Sequence, residues 1–260
     1  MRDRPAGLAV MEQLAHTRGS NPARSGIDRF LGRGVLSDTS RPWYLGALGE
    51  IAVGDAIDSL PAPWSVFHSL PVGTRGADID HLVVGPGGVF CINTKNHRNA
   101  RIWVANHTVM VNGRKQPYIR NSTHEARRLS SILRTIAGDD LTVRAIIAVV
   151  GAQQITVRSK PEGVAVIAAP HLRRWLLSRP QALSTVQLAR IASIVEQPAT
   201  WGLEAPLSSS AGTVQGAFTK LQTEVRNARR VRIVWSVGIL CAIPVAGVTA
   251  LQTIQMLLVG

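Results

Sequence analysis

Between residues 78 and 95 the chain reads "DIDHLVVGPGGVFCINTK", two apolar runs around a glycine turn. Side chains of a strand alternate between two faces, so 78–85 and 89–95 are predicted as paired strands closed by "PGG" at 86–88. Upstream, Leu45, Leu48, Ile51, Ala52 and Ile57 recur at helical spacing over 43–60. Pro42 suits the first turn of that helix, and "PAP" at 61–63 stops it. Residues 64–70, "WSVFHSL", alternate as a strand. Downstream, 101–104 and 108–111 form a second hairpin ahead of Asn112 and Gly113. Ser122 and Glu125 have the S-x-x-E spacing of a capping box, which predicts a helix from there to about 136. Residues 142–150 read as a buried strand, and 154–157 and 163–168 as shorter ones around "KPEG". Helices follow at 171–178 and 185–197, the second capped by Ser184 with Gln187 three positions on. This order predicts an α/β domain with a mixed central sheet flanked by helices, over 41–200.

The two ends have other patterns. Residues 1–40 are rich in Arg, Gly, Ser and Asp with little periodicity, and read as a mobile basic arm with a short helix around 27–31. Residues 201–216 read as a Gly-, Ser- and Pro-rich linker and 217–232 as a basic juxtamembrane helix. Residues 233–260 contain no charged side chain over 28 positions, long enough for a transmembrane helix. "RNARRVR" at 226–232 would stay on the cytoplasmic side. The expectation is a single-pass protein of the cell membrane, anchored by 233–260, with its soluble domain cytoplasmic. A buried core helix is the other reading of that run.

Composition adds a partner class. The net charge of +13 calls for an anionic partner, either nucleic acid or an acidic lipid surface. Two cysteines, Cys91 and Cys241, exclude a disulfide framework and a zinc-ligand spacing.

The candidate chemistry lies on the first hairpin. Alternation puts Asp78 and Asp80 on one strand face, and Cys91, Asn93 and Lys95 on one face of the partner. Glu50 lies on the preceding helix, within reach of the same edge. Two acids and a lysine suit phosphodiester hydrolysis, in which a divalent metal activates water and the ammonium stabilises developing charge. The plain alternative is a cross-strand ion pair between Asp80 and Lys95, with Glu50 solvated. His81 faces away from Asp80 and reads as a core histidine. Arg127, Arg128 and Arg134 are candidate phosphate contacts or simply a solvated helix face.

"GALGE" (46–50), "ADIDHLVVGPGGVFCINTKN" (77–96) and "NSTHEARRL" (121–129) resemble the NERD, or nuclease-related, domain. The resemblance covers roughly 41–160. It implies a PD-(D/E)XK, restriction-endonuclease-like fold and hydrolase activity on DNA or RNA with Mg²⁺ or Mn²⁺. By motif position it implies Glu50, Asp80 and position 93 as metal ligands, with Lys95 as the catalytic lysine. The family pattern has Glu or Asp at 93, whereas this chain has Asn93, an uncharged oxygen donor. Three readings therefore stay open: a metal-dependent nuclease, an inactive module of the same fold that binds nucleic acid or protein at the membrane, and a membrane-linked structural protein whose positive charge serves lipid contact only.

Overall fold

The computed structural model describes residues 1–19, 24–72, 78–137, 141–203 and 208–259, with the backbone alone for 135–137, 208–210 and 241–259. The mixed sheet is present and has five strands. They are β1 (Ser65–Pro71), β2 (Asp78–Gly85), β3 (Gly88–Asn96), β7 (Val143–Val150) and β9 (Val164–Ala168), in that spatial order. β1, β2 and β3 pair antiparallel, whereas β3, β7 and β9 run parallel. A second sheet, which the sequence pattern does not separate from the first, has the order β6-β5-β4-β8. Its strands are β4 (Arg101–Ala105), β5 (Thr108–Val111), β6 (Arg114–Gln116) and β8 (Gln154–Val157).

The near-continuous apolar runs of β3 and β7 follow from burial on both faces. One face carries Val89, Cys91, Ala145 and Ile147, packed with Leu129 and Leu133 of α4 (Tyr118–Ala137) and Ile191 of α6 (Thr185–Glu196). The other carries Phe90, Ile92, Ile146 and Ala148, packed with Val53 and Ile57 of α3 (Arg41–Asp58) and Leu172 of α5 (Ala169–Leu177). Cys91 is buried on the first of these faces, and burial pushes its thiol well up.

The capping box predicted for α6 is formed: the Ser184 hydroxyl and the Gln187 amide cap each other's backbone. The one predicted at Ser122 and Glu125 is not formed. α4 starts one turn earlier, at Tyr118 after Pro117, so Ser122 lies buried inside the helix.

The N-terminal stretch contains a helix, α1 (Leu8–Gly19), ahead of the short α2 (Gly26–Phe30). Met11 and Leu14 of α1 pack with Tyr44 and Ala47 of α3 and with Phe218 and Leu221 of α7 (Ser208–Val259). α7 thus begins inside the expected linker, whose residues 204–207 lie outside the described set.

The predicted membrane anchor is corrected. Among the described residues no helix is long and apolar enough to cross a membrane. The side chains of 241–259, Cys241 included, lie outside the description. Within the uncharged run Trp235 is docked on the protein. Its indole donates to the Phe30 carbonyl at 2.9 Å, and its ring meets Phe30 edge-on at 4.8 Å. The single-pass placement, the membrane as partner and the cytoplasmic orientation inferred from the arginine flank are withdrawn with it.

Candidate metal centre

Asp80 sits where two strand ladders are interrupted. The pairing of β1 with β2 runs from Ser65↔Val84 to His68↔His81 and resumes at Leu70↔Ile79, skipping Ser69 and Asp80. Ser69 is buried with φ of 46°, in the left-handed region that a non-glycine residue seldom adopts. Contacts from the N-terminal segment fix it there: Leu8 N–H donates to its hydroxyl, and Arg4 donates to its carbonyl. On the other side, the β2–β3 ladder ends at His81↔Ile92, one residue short of Asp80. A side chain replaces the missing backbone bond, since the Asp80 carboxylate accepts the Thr94 N–H at 2.6 Å.

α3 brings Glu50 to this gap. A Cβ on the preceding residue, Gly49, would lie 2.9 Å from Asn96 Cβ and 3.3 Å from Thr94 Cγ2. Glycine therefore lets the helix backbone approach β3 directly, and Glu50 follows it in. Carboxylate oxygens of Glu50, Asp78 and Asp80 lie within 4.8 Å of one another. The sequence placed Glu50 and Asp80 at one site. It placed Asp78 only on the same strand face, and the structure makes it the third member.

Three carboxylates this close strain one another electrically. Burial, reinforced by the Asp80 and Asp78 charges, pushes Glu50 up to about 10. Burial raises Asp80 to about 7, opposed by Lys95 and by the Thr94 N–H. Burial also raises Asp78, against the pull of its own backbone N–H and of Arg4. Oε2 of Glu50 and Oδ2 of Asp78 are buried without a hydrogen-bond partner. A buried oxygen left without a partner costs on the order of 1–3 kcal/mol, which a bound cation would recover. Hard oxygen donors with no nitrogen or sulfur suit a divalent ion of the Mg²⁺ or Mn²⁺ kind. The donor set therefore fits such an ion.

Lys95 supplies positive charge beside the cluster. Its Nζ lies over the Tyr118 ring, 5.3 Å from the centroid. The ion pairs among the described residues do not include Asp80 with Lys95, so the plain cross-strand bridge is not formed. Asn93 is buried and donates its amide N–H to Glu125 Oε2 at 2.7 Å. Glu125 is the acid that the sequence reading missed, because its spacing from Ser122 matched a capping signature. Arg128 lines a cavity near the acids, whereas Arg127 and Arg134 line a larger groove of about 1850 Å³ that excludes all four predicted site residues.

His81 lies on the opposite face of β2, as alternation requires, and is fully buried. Its Nδ1 meets His68 Nδ1 at 2.8 Å, and its Nε2 meets the Thr94 hydroxyl at 3.2 Å. His68 continues to Asp58 at 2.9 Å. Thr94 thus joins this histidine pair to Asp80 through its hydroxyl and its N–H.

The fold is a mixed sheet with helices on both faces, and an acidic cluster able to hold a metal ion lies at a break in its ladders. Residues 45–150 match the family model of the nuclease-related domain, NERD. That match spans Glu50, Asp78, Asp80, Asn93, Lys95 and Glu125. No curated protein and no solved structure matches the chain.

Proposed function

We propose that this domain is a metal-dependent nuclease acting on DNA or RNA. The observation that carries the reading is the convergence of Glu50, Asp78 and Asp80 within 4.8 Å inside the nuclease-related segment, with two of their oxygens buried and unpartnered. Asp80, Glu50 and Asp78 would hold one divalent cation, Mg²⁺ or Mn²⁺, and Asn93 offers an uncharged oxygen beside them. When bound, such an ion polarises a phosphoryl oxygen and makes its water a nucleophile near neutral pH. The Thr94 N–H orients Asp80 for that task, and Lys95 stabilises the negative charge that builds on the phosphate as the bond breaks. Burial of the cluster strengthens both effects by lowering the local dielectric. The net charge of +13 draws a polyanion to the surface.

Asn93 favours a second reading, a module of the same fold that binds nucleic acid without cutting it. One assay separates the two: labelled single- and double-stranded DNA and RNA incubated with the full chain, with Mg²⁺ or with EDTA. The nuclease reading expects metal-dependent cleavage that Lys95→Ala and Asp80→Asn abolish. Binding of nucleic acid with no cleavage under any metal supports the inactive module.

A further inference from the structure

The position that lacks an acid is in contact with one. Asn93 Nδ2 donates to Glu125 Oε2 at 2.7 Å, so a carboxylate from α4 is held against the strand position where the nuclease-related pattern has its own. Asn93 is 8% exposed, and its Oδ1 is buried with no partner among the described residues. Glu50, 5% exposed, leaves Oε2 in the same condition. One buried oxygen on α3 and one on β3 are therefore left without a partner among the described residues.

Glu125 belongs to the same electrostatic field as the cluster. Its charge acts on Asp78 and on Asp80. The ion pairs among the described residues include none for Glu125. A carboxylate whose charge acts on two other acids, with no cation within 4.0 Å among the described residues, is a repulsive arrangement that a bound cation would relieve. Asp78 and Glu125 also line one cavity of about 340 Å³. Arg120, His124 and Arg128 line it too, at four-residue spacing on one stripe of α4. Acids with an arginine stripe beside them suit a phosphodiester that meets a cation at the carboxylates and guanidinium groups alongside.

We propose that Glu125 is the fourth carboxylate of the cation site, supplying from α4 the acid that β3 lacks at position 93, with Asn93 fixing its orientation. This rests on the reading of Glu50, Asp78 and Asp80 as a divalent-cation site. The missing acid is then relocated, and Asn93 has become the positioning residue for its replacement.

The test is Mn²⁺ binding by calorimetry to the full-length chain, with no nucleic acid present, and thermal melting of every variant. Glu125→Gln keeps the shape and removes the charge, and it should weaken Mn²⁺ binding about 10–100-fold. Returning the acid to the strand, Asn93→Glu with Glu125→Gln, should restore binding to near the wild-type level. Asp80→Asn should remove it. If Glu125→Gln binds Mn²⁺ as tightly as wild type while Asp80→Asn does not, the role of Glu125 is overturned and the cation site stands. If wild type binds no Mn²⁺, the cation-site reading fails and Glu125 falls with it. Should Glu125→Gln not fold, the double variant decides: tight binding supports the relocation, and absent binding overturns it.

Discussion

His68 and His81 face each other through their Nδ1 atoms at 2.8 Å inside the protein. Only one proton fits between them. With His68 Nε2 donating to Asp58, His68 Nδ1 accepts from His81, and His81 Nε2 accepts from the Thr94 hydroxyl. This order keeps His81 neutral, and burial, with His68 packed against it, drives it well below 6.5. The unfolded chain takes up a proton near pH 6.5 that folded His81 refuses, so stability is lost as pH falls below that value. The raised carboxylates of Glu50 and Asp80 tilt stability the other way over this range, so the His81 contribution is read as a difference: chemical denaturation between pH 7 and 5 should show His81→Gln gaining stability relative to wild type as pH falls. The same substitution should cost about 1–3 kcal/mol at pH 7, because His68 and Thr94 lose a buried partner.

The carboxylates act in the opposite direction. Glu50 is raised to about 10 and Asp80 to about 7, so the folded metal-free protein holds protons that the unfolded chain has already released. Its stability should therefore decline as pH rises from about 4.5 through 10. Glu50→Gln should make this decline shallower. Cation binding must displace those protons, so Mn²⁺ should raise the melting temperature more at pH 8 than at pH 6. Melting curves at the two pH values, with and without Mn²⁺, check both statements.

Gly49→Ala sets helix propensity against packing. Alanine favours a helix by about 0.8–1.0 kcal/mol over glycine. Its Cβ, however, would sit 2.9 Å from Asn96 Cβ on β3. Overpacking of this kind costs about 1–3 kcal/mol. α3 has little freedom to retreat, because Gly54 of the same helix would place a Cβ 2.7 Å from Ala6 Cβ. The net result should be a lower melting temperature, together with weaker Mn²⁺ binding, since Glu50 moves with its helix.

Arg120 and Arg128 should contribute charge rather than sequence specificity. Removing one phosphate contact lowers the slope of log affinity against log salt by about 1. Arg120→Ala and Arg128→Ala should each do so with nucleic acid of any sequence. Fluorescence anisotropy between 50 and 200 mM salt, about the range over which counterion release is steep, measures the slope.

The sheet and the hairpin that bears the acids were legible because their signals are local and redundant. Alternation, the glycine turn at 86–88 and the apolar run of β7 all point one way. Period two was enough to put Asp78 and Asp80 on one face and His81 on the other. The histidine pair was out of reach, because it depends on the register of β1 against β2. Glu125 was hidden for a different reason. S-x-x-E is a true capping signature at some helix starts, but Pro117 starts α4 a turn earlier, which turns Ser122 into a buried residue and frees Glu125 for Asn93. α1 was missed because Met11 and Leu14 are separated by polar residues, and their burial is created by α3 and α7. The uncharged run at 233–260 was read as a span on a local criterion, its length without charge beside an arginine flank. That criterion could not register the docking of Trp235 on Phe30.

The central claim is that Glu50, Asp78 and Asp80 hold a divalent cation. Crystals soaked in Mn²⁺, with data collected at an anomalous wavelength, test it most directly. The account predicts one ion bonded to Asp80 and Glu50 oxygens at about 2.0–2.2 Å, with Asp78 beside it. Saturating Mn²⁺ with no anomalous peak at these carboxylates would contradict it.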